Sequence, residues 1–259
     1  MYPVLFRIGS FEITSFGVMV AIGALVGLWV FRRELARSGL PDDAADGAIA
    51  GILGGLVGAK LLWVFEHYGE EPFFALLFSR GGLSWFGGLV GGVGSALVYF
   101  VVRRYPLVET IAAATPALAI GHALGRVGCL LVGDDYGRPT TLPWAIAFPQ
   151  GLPPTDVPVH PTQLYEGVPL AILAFLLLRW RRRGVAPRVV LGRYLLLAGL
   201  LRFAVEFLRV DRRVLAGLSV AHLASLGMAA AGLVVLLKRE KGKGKREKGE
   251  GKREKAKRA

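Results

Sequence analysis

The chain of 259 residues holds one cysteine, four histidines and 19 acidic residues against 32 lysines and arginines. A lone Cys129 excludes an intrachain disulfide and any cysteine-rich metal site. Charged residues make up 20% of the chain and hydrophobic ones 53%, too little polar surface for an ordinary soluble domain. The first residues, MYPVLFRIGSFEI, have neither a basic n-region nor a small-residue cleavage site, so no removable signal peptide is expected. The glycines of GGLSWFGGLVGG (81–92) look like a dinucleotide fingerprint, but no strand precedes them and no βαβ unit surrounds them. That reading is excluded. No internal repeat of the kind that builds many transporters is visible.

What is present is apolar length. Mean hydropathy is +0.49, and a bilayer-spanning helix needs roughly 20 largely apolar residues. About seven windows meet that need: 13–31, 46–65, 83–102, 110–132, 163–179, 190–207 and 214–237. The expected fold is an all-α polytopic membrane protein with about seven transmembrane helices over 1–237, followed by a basic tail. The net charge of +13 suggests nucleic acid until it is located. Residues 238–259 carry 12 Lys/Arg and four glutamates, +8 in all, a composition that predicts a disordered or transiently helical cytoplasmic tail that meets membrane lipids or simply fixes topology, with no nucleic acid involved. Short loops rich in arginine, with Arg32, Arg33 and Arg37, then Arg103 and Arg104, then Arg181, Arg182, Arg183 and Arg188, alternate with poorer ones holding Arg80 or Arg138. LRVDRR (208–213) is the exception. The positive-inside rule then places the N-terminus outside and the C-terminus in the cytoplasm. Glycines inside the windows, as in GILGGLVGAK (51–60), read as close helix packing.

Ionisable side chains within a bilayer are costly and mark function by default. The fourth window holds His122 and Arg126, the sixth Arg202 and Glu206, and the fifth starts beside Glu166. Lys60 and Glu66 sit at the outer end of the second, where snorkelling or local pairing explains them. The inferred topology brings Arg126, Arg202, His160 and Glu166 toward the outer face. Arg202 and Glu206, four apart, share a helix face and could simply neutralise each other. Arg126 has no acid at helical spacing on its own window, so its partner is a distant carboxylate or a ligand anion. A guanidinium fork suits phosphate, and two arginines at one depth suggest a phospholipid headgroup site in the outer leaflet. His122 reads as a buried, hydrogen-bonded packing residue. Cys129 reads as a small packing residue, with a covalent role left open by its neighbour Arg126.

GHALGRVGCLLVGDDYGRPT (121–140) resembles the signature of the prolipoprotein diacylglyceryl transferase family, usually G-R-x-G-N-F-x-N-x-E-x-x-G. HPTQLYEG (160–167) is similar to its H-P-[ST]-Q-L-Y-E element, and GGLSWFGGLVGG to its third-span glycine motif. RFAVEFLRVD (202–211) is similar to its R-x-x-x-E-F-x-R segment, and GLSVAHLASLGM (217–228) to its closing span. Cys129 and Val132 stand where the family pattern has asparagines, and Asp134 where it has glutamate. Phe16 and Phe86 replace a tyrosine and a histidine or tyrosine.

The resemblance implies seven helices in the bacterial plasma (inner) membrane. It also implies transfer of the diacylglyceryl group of phosphatidylglycerol to the lipobox cysteine of a preprolipoprotein, with no metal or organic cofactor. On matched positions Arg126 and Arg202 would hold the phosphate. Glu206 would orient Arg202 or act on the thiol, and Gly137 would permit the turn beside the headgroup. Tyr165 and Glu166 would lie at the headgroup, and His160 and Asp134 are candidate bases. Two other readings stay open: a paralogue that binds anionic phospholipid but uses another acceptor or none, and a small transporter whose arginines and glutamates line a path.

Overall fold

The computed structural model describes residues 1–238 apart from 10, 80, 81, 211 and 212. The expected tail beyond Lys238, and Arg80 and Arg212 of the loop comparison, lie outside the described residues. A short hairpin, β1 (Val4–Ile8) and β2 (Phe11–Thr14), leads into α1 (Ser15–Arg37). There follow a 3-10 turn (Asp42–Ala45), α2 (Asp46–Glu66), the short α3 (Phe73–Phe78), α4 (Trp85–Val102) and α5 (Leu107–Val132). A loop with the antiparallel pair β3 (Ile146–Phe148) and β4 (Thr155–Val159) precedes α6 (Thr162–Arg182) and α7 (Pro187–Glu206). The hairpin of β5 (Arg213–Leu215) and β6 (Leu218–Ser219) then introduces α8 (Val220–Leu237).

Every expected window contains a long helix, and the protein is predominantly helical. Among the described residues, five helical segments are long and apolar enough to cross a membrane: α1, 42–66, α5, α6 and α8. The apolar part of α4, Phe86–Val102, is shorter, and α7 carries Arg188, Arg193, Arg202 and Glu206 among its apolar residues. Two boundaries move by six residues, the end of α1, which runs on to Arg37 past the expected 31, and the start of the last helix. The last window was expected from 214, but the helix starts at Val220. Ala216 and Gly217 turn left-handed there, at φ 48° and 76°, and the Ser219 side chain caps the helix by accepting from the His222 backbone N–H.

Small residues decide which helices touch. A Cβ on Gly58 would lie 2.4 Å from the Gly87 carbonyl, so α2 and α4 pack backbone to backbone. A Cβ on Gly199 would lie 2.7 Å from the Ala229 amide, which brings α7 onto α8 in the same way. The glycine motif at 81–92 is thereby used for packing. Between these pairs, α5 contacts both α1 and α6. Phe31, Leu35, Phe100 and Ala113 form one core, and Ala119, Leu173, Leu177 and Val190 another. At the end of the bundle where α1 and α6 finish, buried Glu34 pairs with Arg37 and Arg181, each at 2.5 Å. Lys60 donates to the Ser79 carbonyl and hydroxyl oxygens, and Glu66 accepts from Ser84, so both find local partners as expected.

Candidate functional site

At the other end, α5 stops at Gly133, whose left-handed backbone (φ 76°) caps the helix through its N–H to the Cys129 carbonyl, 2.8 Å. The chain turns again at Asp135, a second left-handed residue (φ 59°), a conformation that a short polar side chain tolerates better than most. This turn is tied down on two sides. Thr162 Oγ1 donates to the Asp135 carbonyl (2.6 Å) and Gln163 Nε2 to the Asp134 carbonyl (2.5 Å) from the start of α6. The Gly137 N–H reaches the His160 carbonyl (2.9 Å) and the Arg138 N–H the Leu208 carbonyl (2.8 Å).

Against this turn the three helix ends assemble a charge cluster. Arg126 of α5 is 2.9 Å from Glu166 of α6 and 2.8 Å from Asp135. Glu166 also lies 4.0 Å from Arg202 and 3.4 Å from His122. Arg202 pairs with Glu206 one turn on, at 2.8 Å. Arg209 closes the ring, 2.8 Å from the Asp135 carboxylate and 3.7 Å from Glu206. Gly167, whose Cβ would lie 3.2 Å from that of Arg126, lets α6 come close enough for the first of these pairs. Glu166 and Glu206 are 2% and 0% exposed at the side chain, whereas Asp135 is 41% exposed. Glu206 is held from behind as well: the Ser219 hydroxyl donates to its Oε1, and His222 packs edge-on to Phe203 and Phe207 beside it. Among the described residues, the buried Nη1 of Arg202 has no hydrogen-bond partner.

The two adjacent aspartates titrate in opposite senses. For Asp135, burial pushes the carboxyl up, but the bond and charge of Arg209, with those of Arg126, outweigh it and hold the pKa at about 2. For Asp134, burial dominates and raises the carboxyl above the ordinary 3.8, with Cys129, Arg126 and Arg209 offsetting it only in part. His160 is lowered, by burial and then by Arg138. Cys129, Asp134 and Asp135 offer donor atoms within 4.8 Å of one another. Both Asp135 oxygens are already on guanidinium groups, whose positive charge opposes a cation there.

Of the expected residues, the structure brings together Arg126, Glu166, Arg202 and Glu206, with Asp134 and Gly137 in the adjoining turn. His160 and Tyr165 lie at the neck of that turn, where the Tyr165 hydroxyl meets His160 Nδ1 (3.3 Å) and accepts from Trp144 Nε1 (2.6 Å). His122 differs from its expected burial: its side chain is 45% exposed, on the α5 face one turn before Arg126. Four residues of the cluster carried no role in the sequence reading: Asp135, Arg209, Ser219 and His222. Arg209 was signalled by its place in R-x-x-x-E-F-x-R. His222 and Ser219 lie in GLSVAHLASLGM, the segment similar to the closing span, and nothing in the sequence singled out Ser219.

Beside Arg126 an apolar groove of about 450 Å³ runs between α1, α5 and α6, lined by Ile22, Val26, Leu124, Val127, Leu164 and Val168 among others. An apolar groove that reaches the Arg126 guanidinium, itself paired into the charge cluster, suits a ligand with an anionic head and hydrocarbon chains.

A sequence model described as prolipoprotein diacylglyceryl transferase matches residues 3–238. The chain is 37% identical to the phosphatidylglycerol–prolipoprotein diacylglyceryl transferase of Geobacter sulfurreducens, over 92% of this chain and 96% of that protein. It is 32% identical to the enzyme of that name from Clostridium tetani (82% and 87%) and 31% identical to that from Pasteurella multocida (94% of each).

Proposed function

The chain belongs to the prolipoprotein diacylglyceryl transferase family, and on that premise we propose a mechanism for its charge cluster. The protein is a transferase of lipoprotein biosynthesis that moves the diacylglyceryl group of phosphatidylglycerol onto the lipobox cysteine of a preprolipoprotein. The observation that carries the assignment of the site is the pair of guanidinium groups joined through Glu166, Arg126 lining the apolar groove and Arg202 with a buried nitrogen that has no hydrogen-bond partner among the described residues.

In the reaction the thiol sulfur attacks the glycerol carbon that bears the phosphate. A C–S bond forms, the C–O bond breaks, and its electron pair stays on the phosphate oxygen of the departing glycerol phosphate. Negative charge therefore grows on the phosphate, where fixed guanidinium donors stabilise the transition state more than the ground state. Glu206 fixes Arg202 in rotamer, Glu166 spaces the two arginines, and the turn at Gly137 brings the loop over the headgroup. A thiol of ordinary pKa, about 8.5, is mostly protonated at neutral pH, so its proton needs an acceptor. Asp134, with its raised carboxyl beside Arg126, fits that role, and His160 with Tyr165 is the neighbouring alternative.

The seven long helices cross the bacterial plasma membrane with the N-terminus outside and the tail, 238–259, in the cytoplasm. Residues 1–237 form the catalytic unit, and the cluster lies at the outer leaflet. The arginine-rich loops support that orientation, and the signal peptide of the preprolipoprotein meets the site from within the bilayer. The test is transfer from phosphatidylglycerol vesicles to a lipobox peptide by the purified protein. Arg126→Ala and Arg202→Ala should each lower the rate by roughly a hundredfold or more, as loss of a donor to a developing oxyanion does elsewhere. Retention of normal turnover by either variant would remove that arginine from the site.

A further inference from the structure

We propose that the Asp135 carboxylate, which bridges Arg126 to Arg209, is a resident anion that competes with the lipid phosphate for Arg126, and that a headgroup entering the Arg126–Arg202 clamp displaces it. The proposal rests on the phosphate-clamp reading above and adds a competitor to it.

The geometry is that of a stand-in. Asp135 places one oxygen 2.8 Å from Arg126 Nη1 and the other 2.8 Å from Arg209 Nη2. Two anionic oxygens on one atom, each held by a different guanidinium, is the arrangement that the two non-bridging oxygens of a phosphodiester would reproduce. Charge counting leads to the same place. The three guanidinium groups of Arg126, Arg202 and Arg209 are already ion-paired to the three carboxylates of Glu166, Glu206 and Asp135, with the Asp134 carboxyl beside them, so the cluster has no positive charge to spare. A phosphodiester entering this balanced cluster adds an uncompensated negative charge where the dielectric is low, unless one acid withdraws.

Only one of the acids is free to withdraw. Glu166 and Glu206 are on helices and buried from solvent, while Asp135 is on a turn and 41% exposed. Its backbone does not need to follow, because its carbonyl is held independently by Thr162 Oγ1 and Arg209 Nη1. The side chain can therefore swing outward with the turn in place, leaving Arg126 to the headgroup. In the family pattern the acid of this segment falls at position 134, and Asp135 stands at a position that the pattern leaves open.

The test compares wild type, Asp135→Asn and Asp135→Ser in the full-length protein, reading KM for phosphatidylglycerol, kcat, and inhibition by glycerol phosphate. Removing the competing charge should lower KM by about threefold or more, the scale of one partly exposed ion pair, and should strengthen inhibition by glycerol phosphate to a similar extent. Asp135→Glu, which keeps the anion, should hold KM near the wild-type value. An unchanged or raised KM in both neutral variants, with normal thermal melting, would overturn the proposal and leave Asp135 as a tie for the turn. If the Asp135→Asn protein is too unstable to assay, Asp135→Ser gives the same reading. Arg126→Ala measured alongside separates the two failures: an active Arg126→Ala enzyme sinks the clamp itself, whereas an inactive one with no KM effect at Asp135 sinks only the displacement.

Discussion

Adding one methyl group at Gly137 should disable the site without touching a charged residue. A Cβ there would lie 2.6 Å from the Leu208 carbonyl oxygen, 2.9 Å from Thr162 Cγ2 and 3.0 Å from His160 Cβ. Ordinary contact begins at 3.4 Å, so the carbonyl stands about 0.8 Å too near. It cannot retreat freely, since it accepts the Arg138 N–H at 2.8 Å, and the next residue, Arg209, holds Asp135 through both its carbonyl and its carboxylate. Nor can the turn move the other way, because Thr162 and His160 close that side. Overpacking of this kind costs about 1–3 kcal/mol. Moving a positioned group by about 1 Å can cost on the order of a hundredfold in rate. Gly137→Ala should therefore lower kcat by roughly that factor while the protein still folds, with thermal unfolding shifted down by several degrees. The assay is single-turnover transfer to a lipobox peptide, paired with a melting curve of the same preparation. Normal kcat with normal melting would refute the steric argument. A protein that melts normally but is inactive would place the whole effect on the headgroup turn.

Two further expectations concern stability and pH. Glu34→Gln removes the buried partner of Arg181, which is 7% exposed, and so leaves a buried charge uncompensated; a loss of about 3–5 kcal/mol is expected. It should show as an earlier melt with KM for phosphatidylglycerol unchanged, because Glu34 lies at the far end of the bundle, and an unaltered melt would show that the ion pair contributes nothing. The pH profile separates the aspartates. Asp135, depressed to about 2, stabilises the fold above its unfolded pKa of about 3.9 and loses that contribution only as pH falls toward its folded value. Asp134 is raised, so the folded protein holds that proton more tightly, and the stability it lends is present at low pH and lost as pH rises through its folded pKa. If Asp134 takes the thiol proton, kcat/KM should climb with pH along an acid limb above 3.8 that Asp134→Asn abolishes. A limb below 6.5 that survives in Asp134→Asn would pass the role to His160, whose ring is lowered from that value.

The sequence made the level of the cluster legible because a charge inside an apolar window has few places to go. Arg126, Glu166, Arg202 and Glu206 were each identifiable from their windows, and their convergence followed from the direction in which the helices run. Their pairing was not legible. Whether Arg126 meets Asp134 or Asp135 depends on two left-handed residues in close succession, Gly133 and Asp135, and nothing in hydropathy or spacing sets a left-handed turn at an aspartate. Arg209 escaped for a related reason: it lies beyond the end of α7, where helical spacing no longer predicts which way a side chain points.

The replaced asparagines follow the same logic. Cys129 and Val132 are 7% and 5% exposed and sit on the packed side of α5, so at these positions the chain keeps small or apolar groups on its inner face. The turn that follows is held by Gln163 and Thr162 of α6 and by the Leu208 carbonyl just beyond α7, and its anion is supplied by Asp135. The polar work of the signature segment is thus divided among α6, the end of α7 and the turn itself. Departures within GRVGCLLVGDD therefore weigh less against the chemistry than their position in the signature suggests, so long as Arg126 keeps Glu166 on one side and an exchangeable anion on the other.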